Sequence, residues 1–189
     1  MDKLTPVTVH AGFKDMDKLE AIYSEAFPPA ERKLTISQIV ESTVFKQDVR
    51  AYYKDRDVVG FSVSTLLGEF NYFLFLAVSK DVRSCGYGGI ILDSIIKECG
   101  DKPLIFSIED PSEQCDNSEQ RKRRESFYLR HGCVYMGMKN SSPEGGPTFC
   151  LMSSIALEDY TPIKETLESM RGKMAEILAE YAGSANPQN

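Results

Sequence analysis

Three glycines, Gly86, Gly88 and Gly89, lie in a turn that opens at Arg83, between a strongly apolar run and an amphipathic stretch ending near Cys99. Glycine lets main-chain N–H groups come close to a ligand. A helix N-terminus adds unpaired N–H groups and a positive partial charge. A strand leading through such a turn into a helix is suited to hold a pyrophosphate, and Arg83 adds a full charge beside it. Short glycine motifs also recur by chance and serve helix packing alone. No P-loop run is present, and the spacing departs from the dinucleotide fingerprint, which also belongs near the first strand of a parallel sheet.

A second cluster lies downstream. Arg121, Arg124 and Tyr128 are spaced i, i+3 and i+7, which places them on one face of a helix. A phenol turned toward the glycine turn could protonate a leaving thiolate; the plainer alternative is a half-buried core tyrosine. The run Arg121 to Arg124 is ordinarily a solvated helix face. Cys85, Cys99, Cys115, Cys133 and Cys150 are odd in number and have no Cys-x-x-Cys spacing, and His10 and His131 are the only histidines. That pattern favours reduced thiols, with neither a metal site nor a disulfide framework. Cys85 sits in the glycine turn, where a helix N-terminus lowers a thiol pKa, yet no local signature supports a Cys–His nucleophile.

The elements that must carry these residues follow from periodicity. Pro6 to His10 alternates as a first strand, and Lys14 to Ala26 carries a helical stripe of Leu19, Ile22 and Tyr23 ended by Pro28 and Pro29. Thr35 is placed to cap a short helix over Ile36 to Val44. Val49 to Tyr53, Val58 to Leu67 and Phe70 to Ser79 read as three strands joined by short turns, an antiparallel meander. The third is apolar throughout, as a central strand buried on both faces would be. Strand–helix–strand through Leu104 to Glu109 predicts a parallel crossover. A helix over Glu119 to His131, a strand over Cys133 to Met138 and a strand over Thr148 to Ile155 complete the domain. In the tail, Thr161 and Pro162 look like a cap and first turn, and Ile163, Leu167, Met170, Met174, Ile177 and Tyr181 form a heptad-like seam. The expected division is a domain over 1–157, one or more helices over 158–182, and a disordered end over 183–189.

The chain has 189 residues, 42% apolar and 26% charged, with net charge −6. This suits a single globular domain and excludes collagenous or low-complexity classes. An acidic total disfavours nucleic acid. The longest apolar run, Tyr72 to Val78, is far below the roughly 18 residues of a membrane span, and no signal-peptide core appears, so a cytoplasmic location is expected.

The glycine turn and the tyrosine helix, in this order, resemble the GNAT superfamily of acyl-CoA-dependent N-acyltransferases. Arg83, Gly86 and Gly88 match the family's Arg/Gln-x-x-Gly-x-Gly/Ala signature, and Phe127, Tyr128, Gly132 and Cys133 match its aromatic–Tyr signature. The match in element order runs from about Thr5 to Ile155. The resemblance implies an α+β, three-layer fold with a mostly antiparallel sheet, helices on both faces, and strands four and five splayed apart. It implies acetyl-CoA as co-substrate, its pantetheine arm paired with main-chain groups near Ala77 and Val78. The amides of Arg83, Ser84, Cys85, Gly86, Tyr87, Gly88 and Gly89 would hold the pyrophosphate. An amine would attack directly in a ternary complex, the Val78 N–H polarising the carbonyl and Tyr128 protonating the sulfur.

Departures are Ser84 where many members carry Gly, Lys80 where many carry Pro, and Arg121 where many carry Asn; Arg121 and Arg124 could reach a phosphate instead. Glu109, at the end of strand five, is the first candidate for the base, ahead of Glu69, with a water relay as the alternative. Glu31 and Arg32 lie in a loop that in this family often borders the acceptor pocket; a loop salt bridge is the competing reading. The resulting expectation is an N-acetyltransferase of a small-molecule or protein amine. The alternatives are a non-catalytic acyl-CoA-binding module and, more remotely, a nucleotide-binding one. The tail either packs on its own domain or joins two copies in a homodimer.

Overall fold

A computed structural model describes residues 3–42, 47–141, 146–170 and 172. Seven strands form one sheet: β1 (Thr5–Thr8), β2 (Gln47–Lys54), β3 (Asp57–Leu67), β4 (Phe70–Val78), β5 (Leu104–Glu109), β6 (Val134–Ser141) and β7 (Thr148–Ser153). Their order is β1-β2-β3-β4-β5-β7-β6. Only β4 and β5 run parallel, joined by helix α3 (Tyr87–Cys99); every other neighbour is antiparallel. The meander and the single crossover are therefore as expected, and the fold is the mixed α+β architecture that the resemblance implies.

Alternation along the strands separates three apolar clusters. Tyr52, Val59, Phe73, Leu104, Phe106 and Ile108 turn to the face covered by α3 and by α4 (Ser118–Arg130). Val49, Ala51, Phe61, Val63 and Ala77 turn to the opposite face, against Leu19, Ile22 and Tyr23 of α1 (Met16–Ala26) and Ile36 and Ile39 of α2 (Ile36–Glu41). Thr35 caps α2 as expected, accepting from the Gln38 N–H at 3.1 Å in a reciprocal capping box. The described part of α2 ends at Glu41; Val44 lies outside the described residues.

Residues 161–170 form a helix, α5, whose Ile163 and Leu167 are buried against Phe70, Ile105, Met136 and Leu151. The first half of the tail seam thus packs on its own domain. Met174, Ile177 and Tyr181 lie outside the described residues. The start of α5 differs in detail from expectation, because Asp159, not Thr161, supplies the capping oxygen, accepting from the Thr161 N–H at 2.8 Å.

What shapes the site is the parting of β4 from β5. They pair only at Asn71–Leu104, Tyr72–Ile105 and Phe73–Phe106. Beyond that point both continue, to Val78 and Glu109, without pairing. The register of β3 against β4 slips at the same place: Val63 faces Phe75 and Ser64 faces Phe73, leaving Leu74 as an extra residue. A bulge bends its strand and raises its twist, so the Leu74 bulge is a local cause of the divergence.

Past the bulge, the Ser79 N–H donates to Val59 O at 2.9 Å. By the antiparallel alternation, the main-chain groups of Phe75 and Ala77 then face β3, and those of Leu76 and Val78 face the gap. Gly60, opposite Val78, keeps this stretch close to β3: a Cβ there would lie 2.5 Å from Ala77 O and 3.2 Å from Ile91 Cδ1. Gly60→Ala is therefore expected to destabilise the protein by about 1–3 kcal/mol, as overpacking does, read as a lowered Tm. An unchanged Tm would show that β4 yields freely at this position.

Candidate functional site

The gap between β4 and β5 opens into a cleft of about 640 Å³, within the usual range for small-molecule sites. At one end lie Arg83 and Ser84 of the glycine turn, along its walls Leu74, Leu76, Phe106 and Ser107 of the parted strands, and elsewhere Glu31, Glu109, Phe149 and one face of α4.

The glycine turn joins the end of β4 to α3. A single 3-10 turn over Lys80–Val82 leads into it. Ser84 adopts φ 70°, and Gly86 caps α3 at φ 81°, both in the left-handed region. For Gly86 this is free, while Ser84, where many family members have glycine, incurs roughly 1 kcal/mol. The amides of Arg83, Cys85 and Gly89 donate to Lys80 O, Val82 O and Gly86 O. Those of Ser84, Gly86 and Gly88 donate to no main-chain carbonyl among the described residues. Of the expected row of amides from Arg83 to Gly89, those of Arg83, Cys85 and Gly89 are thus taken up by main-chain carbonyls within the turn. Gly89 serves packing instead: a Cβ there would lie 2.7 Å from His131 Cε1. The Tyr87 ring belongs to the core, and the Cys85 side chain is exposed. Arg83 lines the cleft, its Nε donating to Val78 O at 3.5 Å. Ala77 is a correction to the expected pantetheine edge. Its main chain faces β3, so Leu76 and Val78 are the residues that present N–H and C=O to the gap.

The helical phase of α4 brings Gln120, Arg123, Arg124, Phe127 and Tyr128 to the cleft. Tyr128 is buried, its ring 4.3 Å from that of Phe106 and 5.1 Å from that of Phe127. Its hydroxyl has no hydrogen-bond partner among the described residues. Burial pushes the phenol up to about 12, opposed in part by Arg124, so it stays protonated across the neutral range.

Glu109 departs from the base role expected of it. Its carboxylate is buried, with Oε1 held by Arg121 Nη2 at 3.0 Å and Oε2 by Arg124 Nη1 at 2.7 Å. Asn117 Nδ2 also donates to Oε1, at 3.3 Å. Both oxygens are thus committed to cations. Asp110 turns elsewhere, to Lys139 and Ser112, which hold its carboxyl down to about 2. Glu69 lies in the turn before β4, at the end of that strand where β4 and β5 are still paired.

Arg121 is the second correction. It is buried, and its guanidinium donates to Asn117 Oδ1, Asp110 O, Glu113 Oε2 and Glu109 Oε1, so it is not turned to a cofactor phosphate. Arg32 is the third. It is not among the cleft residues; its Nε donates to Phe27 O at 2.9 Å and its guanidinium lies 5.9 Å from the Tyr23 ring centroid. It fastens the loop after α1. Glu31, its neighbour, does line the cleft.

Leu76, Gln120, Arg123 and the hydrogen-bonded pair Tyr72–Ser107 (3.3 Å) are cleft residues that motif reading missed. The i, i+4 stripe from Gln120 through Arg124 to Tyr128, with Arg123 and Phe127 beside it, was the available signal. Breaking the Arg121–Glu109 pair from one side leaves a buried carboxylate short of a partner. Arg121→Met should therefore cost about 3 kcal/mol in chemical denaturation. If Arg121 instead served a cofactor, the variant would keep its stability and lose acetyl-CoA affinity.

No family model matches the chain. YjbC of Bacillus subtilis (strain 168), provisionally described as an acetyltransferase, is 33% identical over 110 residues, 57% of this chain and 52% of that protein. The matching part of the chain thus spans about half the length of this curated relative. A structure from Bacteroides thetaiotaomicron, provisionally described as a GNAT-family acetyltransferase, superposes with a TM-score of 0.70 and 24% identity, covering 93% of this chain and 97% of that one. A GNAT-family acetyltransferase of Elizabethkingia anophelis with acetyl-CoA bound gives 0.55 and 14%, over 81% and 98%. These likenesses show that the chain has the fold of the GNAT-family acetyltransferases.

Proposed function

We propose that this protein transfers an acetyl group from acetyl-CoA to a primary amine, both held in one ternary complex. The observation that carries the reading is the cleft itself. It joins an unpaired strand edge, a turn with outward amides and a protonated phenol without a protein partner.

These groups fit acetyl-CoA. The amides of Ser84, Gly86 and Gly88, with Arg83 beside them, suit a pyrophosphate. The outward N–H and C=O groups of Leu76 and Val78 suit an amide-bearing pantetheine arm, which would extend the sheet as an added strand does. Arg123 and Arg124 add positive charge to the cleft wall. When bound, acetyl-CoA supplies an activated acetyl carbon. The Val78 N–H is the donor best placed to polarise its carbonyl. Tyr128 Oη holds the proton that the departing sulfur needs. The nitrogen–carbon bond forms as the carbon–sulfur bond breaks. The ammonium first gives one proton to water; after attack by the neutral amine the sulfur takes the Tyr128 proton, and the second proton given up by nitrogen returns through solvent to the phenolate.

The cysteines among the described residues are free. This suits a reducing compartment, and we place the reaction in the cytoplasm. No described helix is long and apolar enough to cross a membrane.

Calorimetry should show micromolar binding of acetyl-CoA and CoA and none of ATP or NAD. Absence of CoA binding would sink the enzymatic reading. Tyr128→Phe should keep that affinity and slow turnover about 100-fold. Because burial holds the phenol near about 12, the wild-type rate should show no basic limb at the ordinary tyrosine value of about 10. A limb there that disappears in the Phe variant would contradict the buried-phenol account.

A further inference from the structure

Five charged side chains line the cleft: Arg83, Arg123, Arg124, Glu31 and Glu109. Glu109 is neutralised by two guanidiniums. Glu31 is not: its carboxylate makes no hydrogen bond or ion pair among the described residues. Desolvation at the cleft wall raises its carboxyl pKa, the Glu109 charge adds to the rise, and Arg124 and Arg121 oppose it. Arg32 holds the loop by bonding Phe27 O, and the Glu31 N–H donates to Pro28 O at 3.0 Å, so the backbone that presents Glu31 is fixed. The neighbouring walls are aromatic. Phe27 belongs to the same loop, Phe149 lies opposite Glu109 in the β5–β7 register, and the Tyr72 hydroxyl is taken up by Ser107, leaving its ring.

We propose that Glu31 docks the ammonium of the acceptor, and that the acceptor is a monoamine on an apolar body of about aromatic size. This rests on the acetyl-transfer reading and names its substrate class. One unpaired carboxylate can match one ammonium. The rings of Phe27, Tyr72 and Phe149 offer area to an apolar body and a negative face to its cationic end. Further ammonium groups on a polyamine would meet Arg123 and Arg124, which selects against polycations.

The test is calorimetry on the full chain with 2-phenylethylamine, with and without CoA, set against 2-phenylethanol and kanamycin. Wild type should bind 2-phenylethylamine and neither control. Glu31→Gln should weaken amine binding at least about tenfold, the loss expected for one charge-assisted hydrogen bond, and raise KM by a similar factor. Its CoA affinity should stay within about twofold, because Glu31 is no part of the phosphate end. Equal amine binding by the Gln variant, tighter binding of kanamycin, equal binding of 2-phenylethanol, or no binding of 2-phenylethylamine would each overturn the proposal. Failure of CoA to bind is a separate result that overturns acetyl transfer. Glu31-dependent amine binding measured without CoA would survive it.

Discussion

The site depends on an unmet hydrogen-bonding requirement. A β-strand inside a sheet satisfies its main-chain groups on both sides. Here β4 meets β3 along its length and meets β5 over only three residue pairs. The Leu74 bulge bends β4 away, and Gly60 holds the bent stretch against β3. Leu76 and Val78 are left facing a gap with donors and acceptors that no strand takes up. A sheet edge of this kind is a hazard on a protein surface. Set inside a cleft lined by Leu74, Leu76 and Phe106, it is the edge that the proposed amide-bearing pantetheine arm would extend.

A gap in the middle of a sheet must also be kept from closing, and α4 serves that purpose. The helix is mostly polar, SEQRKRRESFYLR, and its apolar contact with the sheet is made by Phe127 and Tyr128 near its C-terminal end. It is fastened further by Arg121 and Arg124 to Glu109 at the tip of β5, and by Arg121 to Glu113. Buried ion pairs of this kind contribute little net stability, yet they penalise every arrangement that separates the partners. The effect is to fix the free end of β5 against α4, and with it the position of Tyr128. Glu109 is therefore better described as an anchor of the cleft than as a proton acceptor.

Much of this was legible from residue types and spacing. Gly86 and Gly88 at a strand-to-helix turn, the phase shared by Arg124 and Tyr128, and the meander followed by one crossover all reflect local rules, and the structure carries them. What was not legible depends on contacts between distant segments. Leu74 is one more apolar residue in an apolar run, so nothing marked it as the bulge. Ala77 and Leu76 differ only in which way their main chain faces, and that is set by the bulge. Gly89 was read with the phosphate turn, whereas its need arises from His131, forty-two positions away. Arg121 and Arg32 were read by charge as ligand groups, but each has protein acceptors within reach that only the fold supplies. The insertion of β7 between β5 and β6 likewise follows from pairing across the sheet and from no local pattern.

The distribution of charge follows the same logic of local against global. The chain as a whole carries net charge −6, and a polyanion gains nothing from such a surface at long range. Within the cleft the balance reverses, since Arg83, Arg123 and Arg124 stand against Glu31 and Glu109, and Glu109 is already matched by Arg121 and Arg124. What remains is a positive wall with a single unpaired carboxylate on the loop after α1. Such a field is asymmetric: in the proposed reaction Arg83 and the amides of the glycine turn would favour phosphates, and the free carboxylate would favour a cation near the loop after α1. Two reactants of opposite charge would be sorted to different parts of one groove, with Tyr128 also on its wall. A cleft of uniform sign would hold one of them more tightly and exclude the other, so a Glu31 carboxylate without a direct partner among the described residues is as much a part of the proposed site as the arginines themselves.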